Sequence, residues 1–320
     1  MTAPNTFLTR FKFEKLLNQD QAGKRLILKG TISGEPALLL AERGAFDTDP
    51  TFLNSFSRLV THVNNLGEND VYRWYLANSL PENGIDQPTP PDLKLNLIYP
   101  CTEKHIRKYS PQRLRSVVET PEVYAKYVRP YMARCRQEGR LNWVFNILDG
   151  KSEQENVLFR STEAQNEDDF LLLPDLNWDR KTVSSLHLLA LPIRRDIWSV
   201  RDLRKRDVSW LRHLHSTLTD TVAKLYPDVD GDELKFYVHY QPTYYHFHVH
   251  IVHVSLEPSA TQAVGKAMGL REVINWLESM QGGEVAGMDN VELTYTLGEE
   301  SELWNEIFQP LKKGQTSNTE

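Results

Sequence analysis

The sequence predicts an α+β protein of two domains: a small N-terminal α+β domain over residues 1–110, and a larger domain over residues 111–320 in which helices pack an antiparallel sheet. Three observations carry this. A chain of 320 residues is long enough for two hydrophobic cores. Short apolar and β-branched runs, broken by Gly, Pro, Asn and Ser, are interspersed with stretches of helical spacing. Deep in the second half, residues 237–253 read as two strands joined by a tight turn.

Composition narrows the class. With 40% hydrophobic and 25% charged residues the chain is ordinary for a soluble globular protein. A net charge of −6 argues against a surface that grips long nucleic acid by neutralising many phosphates, so an anionic ligand should be small and met by local basic groups. No apolar run approaches the ~20 residues of a membrane span, and Met1-Thr2-Ala3-Pro4-Asn5 leads into charged sequence rather than a signal core. Cys101 and Cys135 are expected to be unbridged thiols in a reducing compartment. The expected location is the cytoplasm, with a nuclear share left open.

The elements follow in order. Residues 7–20 read as a short amphipathic helix through Phe7, Leu8, Phe11, Phe13, Leu16 and Leu17. Residues 25–32 and 37–43 read as a hairpin across Ser33-Gly34-Glu35-Pro36. Residues 51–65 carry helical spacing, and strands are expected at 71–75 and 93–99 around the proline-rich loop 87–91. Beyond the boundary, residues 111–138 read as a charged helical stretch and Asn142-Trp143-Val144-Phe145-Asn146-Ile147-Leu148 alternates like a strand. An acidic loop at 161–169 leads to Phe170-Leu171-Leu172-Leu173-Pro174-Asp175-Leu176-Asn177-Trp178, then a strand at 186–193. Arg194 and Arg195 after it read as solvated surface. A helix over 207–225 presents Val208, Leu211, Leu214, Leu218, Val222 and Leu225 as one stripe, suited to cover the hairpin's apolar face. A helix at 264–279, a strand at 291–297, a closing helix and a disordered tail near 312–320 complete the chain.

The hairpin holds five of the ten histidines. Side chains alternate along a strand, so His246, His248 and His250 line one face and Phe247, Val249 and Ile251 the other. Three readings of the histidine face remain open. The histidines can be plain polar residues on a half-exposed strand. They can hold a metal, since neutral imidazoles bind zinc at about 2.0–2.1 Å, although residues four apart on a strand lie about 13 Å from each other and cannot share one ion. Or one imidazole can attack phosphorus while its neighbours hold phosphate oxygens, splitting a hard displacement into two easier ones. Neutral imidazole is a good nucleophile, and near neutral pH histidine is mostly neutral. His248, flanked on both sides, is then the natural attacker.

His246-Phe247-His248-Val249-His250-Ile251-Val252 resembles the histidine-triad (HIT) pattern, His-φ-His-φ-His-φ-φ, whose central histidine becomes nucleotidylated. The longer string from His239 through Pro242 and Tyr244-Tyr245 resembles, more narrowly, the scavenger mRNA-decapping family within that superfamily. The likeness is dense from Leu97 to Leu311 and patchy before that. It implies a HIT-type catalytic domain at 111–320 and a lid and dimerisation domain at 1–110, swapped between the subunits of a homodimer. It also implies a base-recognition half. Trp143, which unaided reads as a core or interface residue, would stack on 7-methylguanine; Glu153 would accept from the base edge, Leu176 would cover its other face, and Pro174 and Asp175 would border the cap nucleotide. A cationic base gains from an aromatic face and a carboxylate. Asn177 departs from the lysine expected there. His239, His246, His250, Thr243, Tyr244 and Lys266 would surround the phosphates.

The implied substrate is a cap dinucleotide or short capped RNA left by 3′-to-5′ decay. His248 would form a covalent phosphohistidine, releasing 7-methylguanosine monophosphate and a nucleoside diphosphate or oligonucleotide. No cofactor and no metal are implied. Alternatives are a dinucleoside polyphosphate hydrolase of looser base preference and a cap-binding regulatory subunit without catalysis.

Overall fold

A computed structural model describes residues 6–20, 24–69, 71–79, 91–161, 168–175 and 178–315. The chain forms two compact units, 1–111 and 112–320, with strands antiparallel in every sheet.

In the first unit a single turn, α1 (Thr6–Thr9), leads into β1 (Lys12–Gln19), β2 (Arg25–Ile32) and β3 (Glu35–Glu42), a sheet in that order. The hairpin between β2 and β3 forms as expected; its turn needs left-handed backbone at Ser33 and Gly34, which glycine adopts without cost. The helix expected over 7–20 is instead β1. Its apolar residues sit at mixed spacing that builds no single helical face, and the ladder to β2 satisfies the backbone. The next element, α2 (Pro50–Leu59), is capped by Asp49, whose side chain accepts from Thr51 N at 2.8 Å. It stops short of the expected 65, because residue 61 opens β4 (Thr61–Asn69), which pairs with β5 (Tyr72–Asn78) and β6 (Leu93–Ile98). The short α3 (Glu103–Tyr109) closes the unit. Of the proline-rich loop, residues 87–90 lie outside the described residues. Among those described, few large apolar side chains are buried here, and Phe13, Leu16, Leu17, Leu38 and Leu40 are exposed.

In the second unit the stretch expected to be helical from 111 begins with a strand, β7 (Leu114–Glu119), which pairs with β14 (Leu293–Gly298). Helix then runs from α4 (Pro121–Val123) through a π-helical turn, Tyr124–Val128, into α5 (Arg129–Gln137). Residues read as a strand form α6 (Asn142–Leu148). Seven residues satisfy either period, and here Val144, Ile147 and Leu148, at i, i+3 and i+4, bury against Leu171, Leu173 and Leu191, so packing decides for the helix.

The central sheet has six strands, β8 (Phe159–Arg160), β9 (Phe170–Pro174), β10 (His187–Pro192), β11 (Leu234–His239), β12 (Val249–His253) and β13 (Ala267–Gly269), ordered β13-β11-β12-β10-β9-β8. On one face α7 (Val208–Leu225) packs as expected: Leu211, Leu214, Leu218 and Val222 share a core with Phe247, Val249 and Ile251. The helix α8 (Leu270–Ser279) joins this core but starts at 270 rather than 264, since residues 267–269 are taken up as an edge strand. A π-helical turn, Trp304–Phe308, and α9 (Gln309–Lys312) end the described chain; residues 316–320 of the expected tail lie outside it. The other face of the sheet carries α6 and the histidines. Strand alternation puts Leu171 and Leu173 of β9, His187 and Leu189 of β10, His250 of β12, and Tyr237 and His239 of β11 on this side.

Candidate active site

The hairpin forms, but its second strand is regular only from Val249; residues 240–248 make an irregular turn. Phe247 nevertheless packs in the core with Val249 and Ile251, so His246, His248 and His250 lie on the opposite side, as the alternation expects. His239 joins the cluster from β11. The ring centroids lie 4.3 Å apart for His239 and His250, and 5.3 Å for His248 and His250. His246 turns away, packing edge-on against Phe145 at 6.0 Å and donating from Nε2 to Pro192 O at 2.9 Å.

Hydrogen bonds set the tautomers, because a carbonyl only accepts. His248 Nδ1 lies 2.8 Å from His246 O and so carries the proton, leaving Nε2 as a lone pair. His239 Nε2 donates to Thr261 O at 2.9 Å, leaving Nδ1 as the acceptor. Burial pushes His239 and His246 down to about 4 and His248 to about 3. It also depresses His250, with the neighbouring imidazoles adding to the effect. At neutral pH all four are uncharged, and His248 offers an unprotonated Nε2, the state a nucleophile needs.

This burial makes the fold acid-sensitive. Below the ordinary histidine value of 6.5, the unfolded chain takes up protons that the folded chain refuses. Stability is therefore complete above pH 6.5 and is lost as the pH falls toward 4 and 3. Each such histidine contributes up to about 1.4 kcal/mol per pH unit. Urea denaturation from pH 7 to 4.5 is expected to show a steadily falling midpoint, and a flat profile would contradict these buried neutral imidazoles.

The cluster is tied to the base-recognition candidates by aromatic rings. Tyr244 stacks on His248 at 4.3 Å and 18°, and Trp143 packs edge-on against Tyr244 at 4.9 Å. Trp143, on the first turn of α6, is 45% exposed. Glu153 follows α6 in left-handed backbone, φ 53°, at the start of a short turn, Gln154–Asn156. Pro174 ends β9, and Asp175 follows it with Oδ2 3.6 Å from His187 Nε2 and 4.0 Å from His250 Nδ1. Leu176 and Asn177 lie outside the described residues. Thr243 is exposed on the turn. Lys266 is half-buried, its ammonium donates to Gln241 O, and burial lowers its pKa.

The turn has a rigid base. Buried Glu119 accepts from Tyr240 and Tyr295 hydroxyls, from Gln241 Nε2 at 3.3 Å and from Arg201 Nε at 2.8 Å. Arg201 also donates to Met288 O and Val291 O, and Tyr245 donates to Gln241 Oε1 at 3.1 Å. Arg194, expected at the surface, is largely buried and pairs with Asp207, while its guanidinium covers Trp210. Arg195 is half-exposed and pairs with Asp149.

Among the described residues, two sets could hold a metal ion. One is His239, His248 and His250, the other Asp175, His187 and His250, each with ligand atoms within 4.8 Å of one another. Spacing along one strand excluded only a shared ion between His246 and His250; the cross-strand sets depend on register. Spacing also missed His187, whose Nε2 lies 3.0 Å from His250 Nδ1. Its signal was a lone polar residue in the apolar run 186–193.

Residues 6–112 match the family profile described as scavenger mRNA decapping enzyme (DcpS) N-terminal, and residues 142–265 match that described as scavenger mRNA decapping enzyme C-term binding. Among curated relatives, the m7GpppX diphosphatase of Schizosaccharomyces pombe is 39% identical over 304 residues, 95% of each chain. That of Ascaris suum is 37% identical over 271 residues, 84% of this chain and 85% of its own. That of Homo sapiens is 32% identical over 278 residues, 84% of this chain and 77% of its own. These matches run through both units and define an mRNA-decapping class of enzyme. The chain belongs to the scavenger mRNA decapping enzyme (DcpS) family.

Proposed function

We propose that this protein hydrolyses the triphosphate bridge of a 7-methylguanosine cap carried on a dinucleotide or short RNA fragment. His248 Nε2 attacks the phosphate nearest the methylguanosine and expels the remaining nucleoside diphosphate or oligonucleotide. A covalent methylguanylyl-histidine forms, and water then releases 7-methylguanosine monophosphate. The observation that carries this reading is the unprotonated Nε2 of His248, fixed by the bond from Nδ1 to His246 O, beside a half-exposed tryptophan in ring contact through Tyr244.

In this reading Trp143 stacks on the base, Glu153 and Asp175 meet the cap nucleotide, and Leu176 lies across the base from Trp143. His239, His246, His250, Thr243, Tyr244 and Lys266 surround the phosphates, and Asn177 stands where a cation would add affinity. Trp143→Ala is expected to raise KM for a methylated cap dinucleotide by roughly 5- to 150-fold, since base stacking is worth about 1–3 kcal/mol, with a smaller effect on an unmethylated analogue. Equal effects on both substrates would remove Trp143 from methyl recognition. Chromatography of products from a methylated cap dinucleotide tests the reaction itself. Methylguanosine monophosphate plus nucleoside diphosphate is the expected pair, and equal turnover of unmethylated analogues would favour a broader dinucleoside polyphosphate hydrolase.

The protein acts as a homodimer in this reading, which the exposed apolar side chains of the N-terminal unit support. It resides in the cytoplasm, which the free thiols of Cys101 and Cys135 suit. Sedimentation at micromolar concentration is expected to give twice the chain mass; a monomer would contradict the dimer.

A further inference from the structure

We propose that His187 is a positioning residue that fixes His250 as a hydrogen-bond donor toward the substrate phosphates, and that Asp175 sets the direction of that bond. The inference rests on the reading of His250 as a phosphate contact.

His187 opens β10, and His250 lies on the adjacent β12, where Leu189 is its register partner; both histidines face the α6 side of the sheet. His187 Nε2 and His250 Nδ1 are 3.0 Å apart, with both side chains buried. One nitrogen must donate and the other accept, so two arrangements are possible. If His250 Nδ1 donated, the lone pair of His187 Nε2 would sit 3.6 Å from the Asp175 carboxylate. The lone pair of His250 Nε2 would also be presented to anionic phosphate oxygens. Both contacts are repulsive, and the reverse arrangement leaves the lone pair of His250 Nδ1 farther from the same carboxylate oxygen, at 4.0 Å. If His187 Nε2 carries the proton, its N–H lies near the carboxylate and donates to His250 Nδ1. His250 then carries its own proton on Nε2, a buried nitrogen for which the described protein supplies no partner.

A neutral imidazole with Nε2–H is the form that can donate to a phosphate oxygen without carrying charge, and which ring nitrogen is protonated is set by the bond the other nitrogen makes. Burial holds both rings neutral, so the tautomer rather than the charge is what the neighbours select. Asp175 belongs to the base-recognition half of the site and His250 to the phosphate half, and His187 is the link between them.

The test combines a tautomer measurement with kinetics on the full-length protein. Long-range ¹⁵N–¹H correlation spectra of histidine-labelled, ligand-free wild type are expected to show His250 protonated at Nε2 and unprotonated at Nδ1. In His187→Phe that preference is expected to be lost. Its kcat on a methylated cap dinucleotide should fall about 10- to 100-fold, the usual effect of removing a group that orients a histidine, with KM within about twofold. His187→Gln places an amide N–H near the lost Nε2–H and should recover most of kcat. A wild-type His250 protonated at Nδ1 would overturn the proposal, as would equal losses in both variants or no loss in His187→Phe. The wild-type spectrum decides the point even if a variant fails to fold. It uses no substrate, so a wild type inactive on caps would sink the functional reading separately.

Discussion

His248→Asn is expected to lower turnover of a methylated cap dinucleotide by about 10⁴-fold or more, the scale on which loss of a covalent nucleophile is felt. Asparagine keeps a donor for His246 O, so the turn should survive and the loss should fall on kcat while substrate binding stays near wild type. Binding is read by fluorescence of the half-exposed Trp143. A variant that keeps more than a tenth of wild-type turnover would mean that another group attacks phosphorus.

The largest effect on stability is expected from Arg201→Met. Arg201 and Glu119 form an ion pair with neither side chain exposed to solvent. Removing the cation leaves the Glu119 carboxyl in the interior without its counter-charge, at a cost of about 3–5 kcal/mol. Replacing both members with methionine removes the stranded charge and should recover part of that loss. The same carboxylate holds Tyr240, Tyr295 and Gln241, and Gln241 in turn meets Lys266 and Tyr245, so the single variant should also loosen the turn that presents His248. Urea unfolding measures the first effect and kcat the second. A destabilisation under about 1 kcal/mol would contradict the view that this buried pair is electrostatically committed.

Much of this was legible in the sequence, for identifiable reasons. Phe247, Val249 and Ile251 announced a buried face by period-two alternation, and the stripe on α7 announced its cover; the two meet in one core. The histidine run marked where the candidate site lies, yet only part of its geometry. Alternation held although the regular strand begins only at Val249, and His239, expected beside the phosphates, meets His250 from β11; how closely the rings approach was not legible. The partners of His187 and Glu119 lay beyond local pattern. Each is a polar residue in an apolar context whose partner is set by pairing of distant strands, His250 in one case and Arg201 in the other. The strand at Lys12–Gln19 was misread from apolar residues at mixed spacing, and the helix at Asn142–Leu148 from a short run that fits both periods; the neighbouring ladder or core made the choice.

The central claim is covalent transfer of the methylguanylyl group to His248. Mixing wild-type enzyme with excess methylated cap dinucleotide, quenching within milliseconds in alkaline denaturant, which preserves phosphoramidates, and mapping the peptides by mass spectrometry tests it directly. The account predicts a methylguanylyl adduct on the peptide containing His248, forming before steady-state release of methylguanosine monophosphate and absent in His248→Asn. Full-rate turnover with no adduct at any quench time, or an adduct on a different residue, would contradict it.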